Sequence, residues 1–219
     1  MVRDGYFYAL GLGVVAALLW MLTHVVVLTL LPVALALFFL WFFRDPERVV
    51  PAGPGDIVSP ADGVVTQAEW IETASGSRLR LSIFLNVFDV HVNRAPVAGT
   101  VTAVEYREGG FLNAMKPESV VVNEQTLVVI DAGGYQVSYK QIAGLLARRI
   151  VCAVQVGDRL ERGQRVGMIK FGSRTDVLMP ADAVLKVKSG TRVKGGSTIL
   201  AVLPQSVGVA TTVSAAEVS

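Results

Sequence analysis

The first 43 residues limit what this chain can fold into, because residues 5–43 form a run of 39 without a formal charge. A single helix of that length would extend about 58 Å, almost twice the ~30 Å hydrocarbon core of a bilayer. The polar pair Thr23-His24 divides the run into residues 6–22 and 25–43, each close to the minimum needed to cross. We therefore predict a membrane anchor over residues 1–43 that folds as a tight helical hairpin, with a re-entrant or interfacial pair as the alternative.

The residues that flank this run predict its orientation. A secretory signal peptide would end in a small-residue cleavage site, whereas here three aromatic residues are followed by Arg44 and Arg48. Aromatic residues and then arginines are typical of the cytoplasmic end of a membrane span. Because Arg3 precedes the run and Arg44 follows it, a hairpin would leave both of its ends in the cytoplasm. We expect a protein of the cell (inner) membrane whose remaining residues form a cytoplasmic domain.

The remainder of the chain has the composition of one globular domain. It holds 36 of the 38 charged residues, and the net charge of the whole chain, +2, is too small to suggest a nucleic-acid partner. The single cysteine, Cys152, cannot form an internal disulfide. Because this part of the chain has only one cysteine and one histidine, His91, we predict no metal site.

Residues 59–203 are predicted to form a β-dominated domain, all-β or α+β, after a Pro- and Gly-containing linker at 44–58. Short β-branched runs separated by turn residues favour a flattened barrel or a sandwich. The predicted strands are 63–66, 79–84, 99–104, 119–122, 126–130 and 135–140, and short helices are predicted near 88–93 and 111–115. Residues 204–219 are rich in Ala, Val and Ser and are expected to be a disordered tail.

Two internal similarities refine the expected fold. Residues 157–164 match residues 190–197 at an offset of 33, and Pro60-Ala61-Asp62 resembles Pro180-Ala181-Asp182. Glycine-flanked turns of this kind recur in the flattened β-barrels of biotinyl and lipoyl carrier domains. This similarity leaves open a membrane-tethered carrier, in which Lys170 would receive the lipoyl or biotinyl group.

Two short segments hold the candidate catalytic residues. His91 is the only imidazole available to the globular domain, although a histidine in such a stretch is also commonly structural. In Gly172-Ser173 the serine hydroxyl can attack its own preceding carbonyl, because glycine leaves that carbonyl unshielded. The same dipeptide is also a common hairpin turn. The chain contains no G-x-S-x-G motif of a serine hydrolase.

Five motifs stand in a fixed order along the chain. They are Phe43-Arg44-Asp45-Pro46-Glu47-Arg48, Ser59-Pro60-Ala61-Asp62-Gly63, Phe88-Asp89-Val90-His91-Val92-Asn93-Arg94-Ala95-Pro96, Gln141-Ile142-Ala143-Gly144-Leu145 with the residues up to Ile150, and Phe171-Gly172-Ser173-Arg174-Thr175-Asp176. Together they resemble the phosphatidylserine decarboxylases, in particular the short prokaryotic branch, over residues 42–203.

The resemblance implies a pyruvoyl-dependent proenzyme that processes itself. The Ser173 hydroxyl would attack the Gly172 carbonyl, and elimination from the resulting ester would leave a β chain, 1–172, and an α chain, 173–219, with a covalent pyruvoyl group at residue 173 as cofactor. Phosphatidylserine would form a Schiff base with this group, lose CO2 and leave as phosphatidylethanolamine, a step of phospholipid biosynthesis. The implied partners are a phospholipid substrate, the lipid bilayer and the chain's own cleaved halves. The lipid type, diacyl or archaeal ether, and a homodimer stay open.

The resemblance also assigns roles to Asp62 and His91. Asp62 matches the aspartate that acts with histidine in self-cleavage, although Asp182 in a similar setting shows that an Asx turn is another interpretation. His91 matches the first histidine of an H-x-x-H element and is the implied proton donor or base in decarboxylation. Arg94 replaces the second histidine. Either His91 therefore serves both steps, or Arg94 contributes only its charge.

Overall fold

The N-terminal segment forms two antiparallel helices in the computed structural model, which describes residues 2–73, 76–116, 118–145, 149–170 and 172–204. Helix α1 is Arg3–Thr23 and helix α2 is Val26–Phe42. Between them His24 adopts a left-handed φ of 49° and its N–H caps α1 at the Trp20 carbonyl, which ends the first helix. The far ends meet where the Val2 N–H donates to the Phe43 carbonyl at 3.1 Å. The predicted hairpin and its break at Thr23-His24 are therefore confirmed as helical structure.

Both helices expose apolar side chains over most of their surface, as Leu22 (80%) and Val27 (72%) illustrate. Among the described residues, α1 is the one helix that is long and apolar enough to cross a bilayer, and α2 is shorter, at 17 residues. Uncharged surface on all sides of a helix pair is unusual for a helix exposed to water.

The rest of the described chain is dominated by strands. They are β1 (Asp56–Val58), β2 (Gly63–Thr73), β3 (Gly76–Leu85), β4 (Val92–Arg94), β5 (Gly99–Arg107), β6 (Gln125–Asp131), β7 (Gln136–Ile142), β8 (Ile150–Cys152), β9 (Arg159–Leu160), β10 (Arg165–Ile169), β11 (Ser173–Pro180), β12 (Val184–Leu185), β13 (Arg192–Val193) and β14 (Ile199–Val202). A single helical turn, α3 (Ser119–Val122), lies between β5 and β6. The predicted β-dominated fold is confirmed.

An eight-stranded antiparallel sheet with the order β13-β2-β3-β11-β7-β6-β5-β9 curls into a half-barrel. The strands of this sheet contribute to the main core, in which Ile83, Val128, Tyr139 and Val177 are fully buried. Two three-stranded sheets, β1-β14-β12 and β4-β10-β8, accompany it. Strand β11, which begins at Ser173, lies between β3 and β7 and is thus central to the large sheet.

The internal repeat marks the two edges of the large sheet. Residues 157–164 contain β9 and residues 190–197 contain β13, and these are the outermost strands at opposite ends of the strand order. Each repeat places a glycine turn before a two-residue strand, which is too short to offer a long unpaired edge.

Three of the local predictions are wrong. Residues 119–122 form α3 and not a strand, because the Ser119 hydroxyl donates to the Lys116 carbonyl at 2.7 Å and starts a helical turn. No helix forms at 88–93, where the Asn86 and Asp89 side chains accept N–H groups of the loop before β4. Residues 111–115 likewise form a turn, since the Asn113 side chain accepts the Met115 N–H. The expected tail lies outside the described residues from residue 205 onward.

Candidate active site

His91 lies between the loop at residues 86–89 and strand β4, and its side chain is fully buried. Its Nδ1 is 2.9 Å from the Asp89 carbonyl oxygen, which can only accept, so Nδ1 carries the proton. Its Nε2 accepts the Gly172 N–H at 3.3 Å. Burial lowers the pKa of His91 from 6.5 to about 4. The imidazole is therefore neutral at pH 7, and its Nε2 lone pair accepts from the Gly172 N–H.

The Phe42 ring, at the end of α2, covers the His91 imidazole. The two ring centroids are 4.5 Å apart at an angle of 35°. Phe42 and Phe43 are fully buried in a small apolar cluster with Val92 and Met168. The last turn of helix α2 is thus part of the wall of this site and supplies some of the burial that keeps His91 neutral.

Gly172 and Ser173 lie at the start of the central strand β11. Gly172 has a φ of +48°, in the left-handed region that favours glycine. Ser173 is fully buried, and its hydroxyl has no hydrogen-bond partner among the described residues. A buried hydroxyl left without a partner is costly in a folded protein and needs an explanation in terms of function.

The carbonyl of Gly172 is packed against Gly144, which follows strand β7. A methyl group added at Gly144 would lie far inside van der Waals contact with the Gly172 carbonyl oxygen. Only the absence of a side chain at residue 144 therefore allows this carbonyl its position. His91 thus binds the N–H of Gly172, and the absence of a side chain at Gly144 leaves room for its carbonyl.

A cavity of about 190 Å³ opens beside Gly172. Its lining is mostly apolar and consists of Phe84, Asn86, Val87, Asn113, Ala114, Leu145 and Gly172. A larger cavity of about 650 Å³, lined by Arg78, Tyr135 and Asp182 among others, shares no lining residue with this one. The smaller cavity gives a small molecule access to the Gly172-Ser173 peptide.

Comparisons with known proteins identify the family. The family model described as phosphatidylserine decarboxylase matches residues 35–201. The chain belongs to the phosphatidylserine decarboxylase family. The phosphatidylserine decarboxylase proenzyme of Solibacter usitatus is 50% identical over 202 residues, which cover 92% of this chain and 96% of the relative. Proenzymes of the same name from Symbiobacterium thermophilum (53% identity; 78% and 81% covered) and Carboxydothermus hydrogenoformans (44%; 91% and 95%) are also similar. The predicted family and enzyme class are confirmed.

In this member of the family, Asp62 is not bonded to His91, although the resemblance implies that the two act together in self-cleavage. Its carboxylate forms an ion pair with Arg48 at 2.8 Å and accepts the Gly195 N–H at 2.8 Å. Among the described residues it forms no hydrogen bond or ion pair with His91 or Ser173. The structure thus brings together His91, Gly172 and Ser173, and the role of Asp62 stays a prediction.

Arg94 stands at the position of the second histidine of the family motif. Its side chain binds the segment that follows helix α2. Its guanidinium donates to the Asp45 carboxylate at 2.8 Å and to the Pro46 and Gly163 carbonyls at 3.1 Å. None of its hydrogen bonds among the described residues reaches His91 or Ser173. These contacts attach the segment after α2 to the domain, and they leave His91 as the only imidazole at the site.

Three residues of the decarboxylase site were missed from the sequence: Phe42, Asp89 and Gly144. The carboxylate of Asp89 accepts from Arg192 at 2.7 Å and from the Asn86 N–H at 2.9 Å, which orders the loop before His91. All three residues belong to the motifs given above or adjoin them, and this position in the sequence could have identified them as candidate site residues. Their roles depend on contacts with residues far along the chain, which no local pattern reports.

Gly144→Ala is expected to slow self-cleavage by at least about tenfold, because the added methyl group displaces the Gly172 carbonyl. When the reacting groups are held in place by the protein, a displacement of ~1 Å can lower the rate up to ~100-fold. The fraction of uncleaved chain over time, measured by denaturing gel and mass spectrometry, gives the rate. Gly13→Ala is the control, because a methyl group at this helical position meets no atom within 4 Å. Cleavage of Gly144→Ala at the wild-type rate would contradict the proposed role of this contact.

Proposed function

We propose that this protein cleaves itself between Gly172 and Ser173 and then converts phosphatidylserine to phosphatidylethanolamine and CO2. One observation carries the proposal: a fully buried serine hydroxyl, without a hydrogen-bond partner among the described residues, follows a glycine whose own N–H is bound by His91. Family membership supports the decarboxylase activity, and the proenzyme names of the relatives support processing.

Self-cleavage needs a nucleophile, a base and a positioned carbonyl. Ser173 is the nucleophile, and it attacks the carbonyl carbon of the preceding Gly172. His91 Nε2 is the base, since it is unprotonated at neutral pH and its bond to the Gly172 N–H places it next to Ser173; it exchanges that bond for one from the Ser173 hydroxyl when it takes the proton. Gly144 leaves the space that the carbonyl oxygen occupies. His91 serves this step because Arg94 is engaged by the linker.

Asp62 takes a positioning role in this proposal. The positive charge of Arg44 acts on His91, and Asp62 in turn favours the charged form of Arg44 and pairs with Arg48. Its carboxylate therefore balances two arginines near the site without touching the imidazole.

Residue 173 is a suitable position for a covalent pyruvoyl group. Elimination carries the Ser173 hydroxyl oxygen away with the Gly172 carboxyl group, and water then replaces the amino nitrogen, which leaves as ammonia, to give the ketone. Among the described residues the Ser173 side chain makes no hydrogen bond that these steps would break, and residue 173 adjoins the cavity at Gly172. A ketone at this position would supply the electron sink that decarboxylation of an amino acid requires and that no protein side chain provides. His91, beside the same residue, is placed to deliver a proton to the product.

The helical hairpin serves this function as a membrane anchor. A diacyl substrate does not leave the bilayer, so an anchored enzyme has to work at the head-group plane. Arg44 follows the end of α2 directly, where it can interact with anionic lipid on the cytoplasmic side of the cell membrane. Because Phe42 contacts His91, the anchor and the catalytic site form one unit.

Intact-mass analysis of the purified wild-type protein tests the proposal. We expect two chains, 1–172 and 173–219, with the smaller one beginning in a blocked pyruvoyl end. A carrier domain would instead show a full-length chain with a lipoyl or biotinyl adduct at Lys170, and that result would refute our proposal. The structure favours the first outcome, since the Lys170 ammonium is mostly buried in an ion pair with Asp4 of α1 and is not displayed to a modifying enzyme.

A further inference from the structure

Phe88 is an exposed aromatic residue at the tip of the loop that leads to His91. Its side chain is 70% exposed, although the residues on both sides of the loop are part of the folded domain. A single exposed apolar residue needs no explanation, but a group of them beside a cavity usually marks a contact surface.

The loop holds Phe88 in a fixed outward position. The Asn86 side chain accepts the Phe88 N–H at 2.7 Å, and the Asp89 carboxylate accepts the Asn86 N–H at 2.9 Å. Arg192 binds the same carboxylate at 2.7 Å from the edge strand β13. These three side-chain hydrogen bonds fix the conformation of the loop. The folded structure therefore keeps the Phe88 side chain exposed.

Phe88 is continuous with the end of the membrane anchor. Its ring lies against Trp41 of α2, with 6.0 Å between centroids. Arg44 joins the two residues, since its guanidinium donates to the Phe88 carbonyl at 2.6 Å and lies 4.2 Å from the centre of the Trp41 ring. An aromatic pair beside an arginine is the composition found where proteins meet the head groups of a bilayer.

The same apolar surface borders the cavity at Gly172. Val87, next to Phe88, lines that cavity together with Leu145, which is 63% exposed. Met115, also 63% exposed, follows the lining residue Ala114. We define Trp41, Phe88, Met115 and Leu145 as the apolar rim.

We propose that the apolar rim inserts into the bilayer interface, with Phe88 as its second point of attachment beside the hairpin, so that the cavity at Gly172 opens toward the head groups. This inference rests on the proposed function and adds the surface through which a membrane lipid reaches the site. Because helix α2 and the loop are joined by Trp41, Phe88 and Arg44, insertion of one orients the other.

The test uses the mature two-chain protein in vesicles of phosphatidylcholine and phosphatidylserine. An environment-sensitive NBD label is attached to Phe88→Cys, with the native Cys152 replaced by serine. Trp70→Cys is the matched control, because Trp70 is similarly exposed (63%). It lies far from the loop: its partner in the sheet is Leu79, six residues and about 20 Å before the end of β3 at Leu85, where the loop begins. We expect quenching by doxyl-labelled lipid to be at least twofold stronger at residue 88 than at residue 70.

Equal quenching at the two positions would overturn the inference. The emission of the label at residue 88 could also shift to that of an apolar environment without any quenching by doxyl-labelled lipid. This result would overturn the inference as well, in favour of contact with a second copy of the chain. The mass of the chains in the same samples reports self-cleavage independently, so failure of the insertion and failure of the proposed function are distinguishable. As a functional readout, Phe88→Ser is expected to raise the KM for vesicle-borne phosphatidylserine about fivefold while cleavage remains complete.

Discussion

Ser173→Ala is expected to remain a single chain of 219 residues without decarboxylase activity. Alanine has no hydroxyl to attack the Gly172 carbonyl, so neither the ester nor the chain break can form. The methyl group fits the space of a fully buried serine that makes no side-chain hydrogen bond among the described residues, so the fold is retained. Intact mass shows the single chain, and release of CO2 from phosphatidylserine measures activity.

Thr175→Val is the matched control for this variant. Thr175 lies two residues further along β11, on the same face, and its buried hydroxyl also lacks a partner among the described residues. If Ser173 is the nucleophile, Thr175→Val cleaves into two chains like the wild type. Two chains in Ser173→Ala would refute the cleavage site, and an uncleaved Thr175→Val would show that loss of any buried hydroxyl in this strand prevents processing.

His91→Gln is expected to lower both self-cleavage and turnover by at least about 100-fold, the usual contribution of a positioned acid or base. The glutamine oxygen can still accept the Gly172 N–H, but the amide cannot take or give a proton at neutral pH. Turnover is measured per pyruvoyl end, counted by mass spectrometry, so that the two steps are separated. Normal turnover of the cleaved fraction would remove His91 from decarboxylation and leave it only in processing.

His24→Gln provides the control, because His24 is the other histidine of the chain and lies at the break between α1 and α2. The variant removes an imidazole without touching the site. We expect wild-type cleavage and turnover. A loss as large as that of His91→Gln would mean that both substitutions act through the helical hairpin and not through proton transfer.

The sequence predicts the elements whose signal is local. An uncharged run interrupted by Thr23-His24 identifies the two helices, since length and polarity alone limit what such a run can do. Alternating β-branched segments identify β2, β3, β5, β6 and β7. Residues 119–122 have the same composition but form a helical turn, because a serine hydroxyl and a carbonyl three residues away decide their conformation.

The residues of the candidate site were also predicted only in part from the sequence. The motifs identify His91, Gly172 and Ser173 without any structure. They also pair Asp62 with the histidine, whereas the tertiary structure places Asp62 against Arg48 and Gly195. A motif records which residues a family uses, but the contacts of a charged side chain depend on every element packed around it.

The amino-acid sequence by itself determined that this protein has an apolar helical hairpin and a β-dominated domain, and it supplied the prediction that the Gly172-Ser173 peptide is the site of self-cleavage. Only the tertiary structure decided that Phe42 covers His91, that Gly144 leaves room for the Gly172 carbonyl, and that Phe88 lies against Trp41 of helix α2. The physical reason is separation along the chain. Helices and strands arise from near neighbours, whereas burial, the resulting low pKa of His91 and the position of a reacting carbonyl arise from residues that folding brings together.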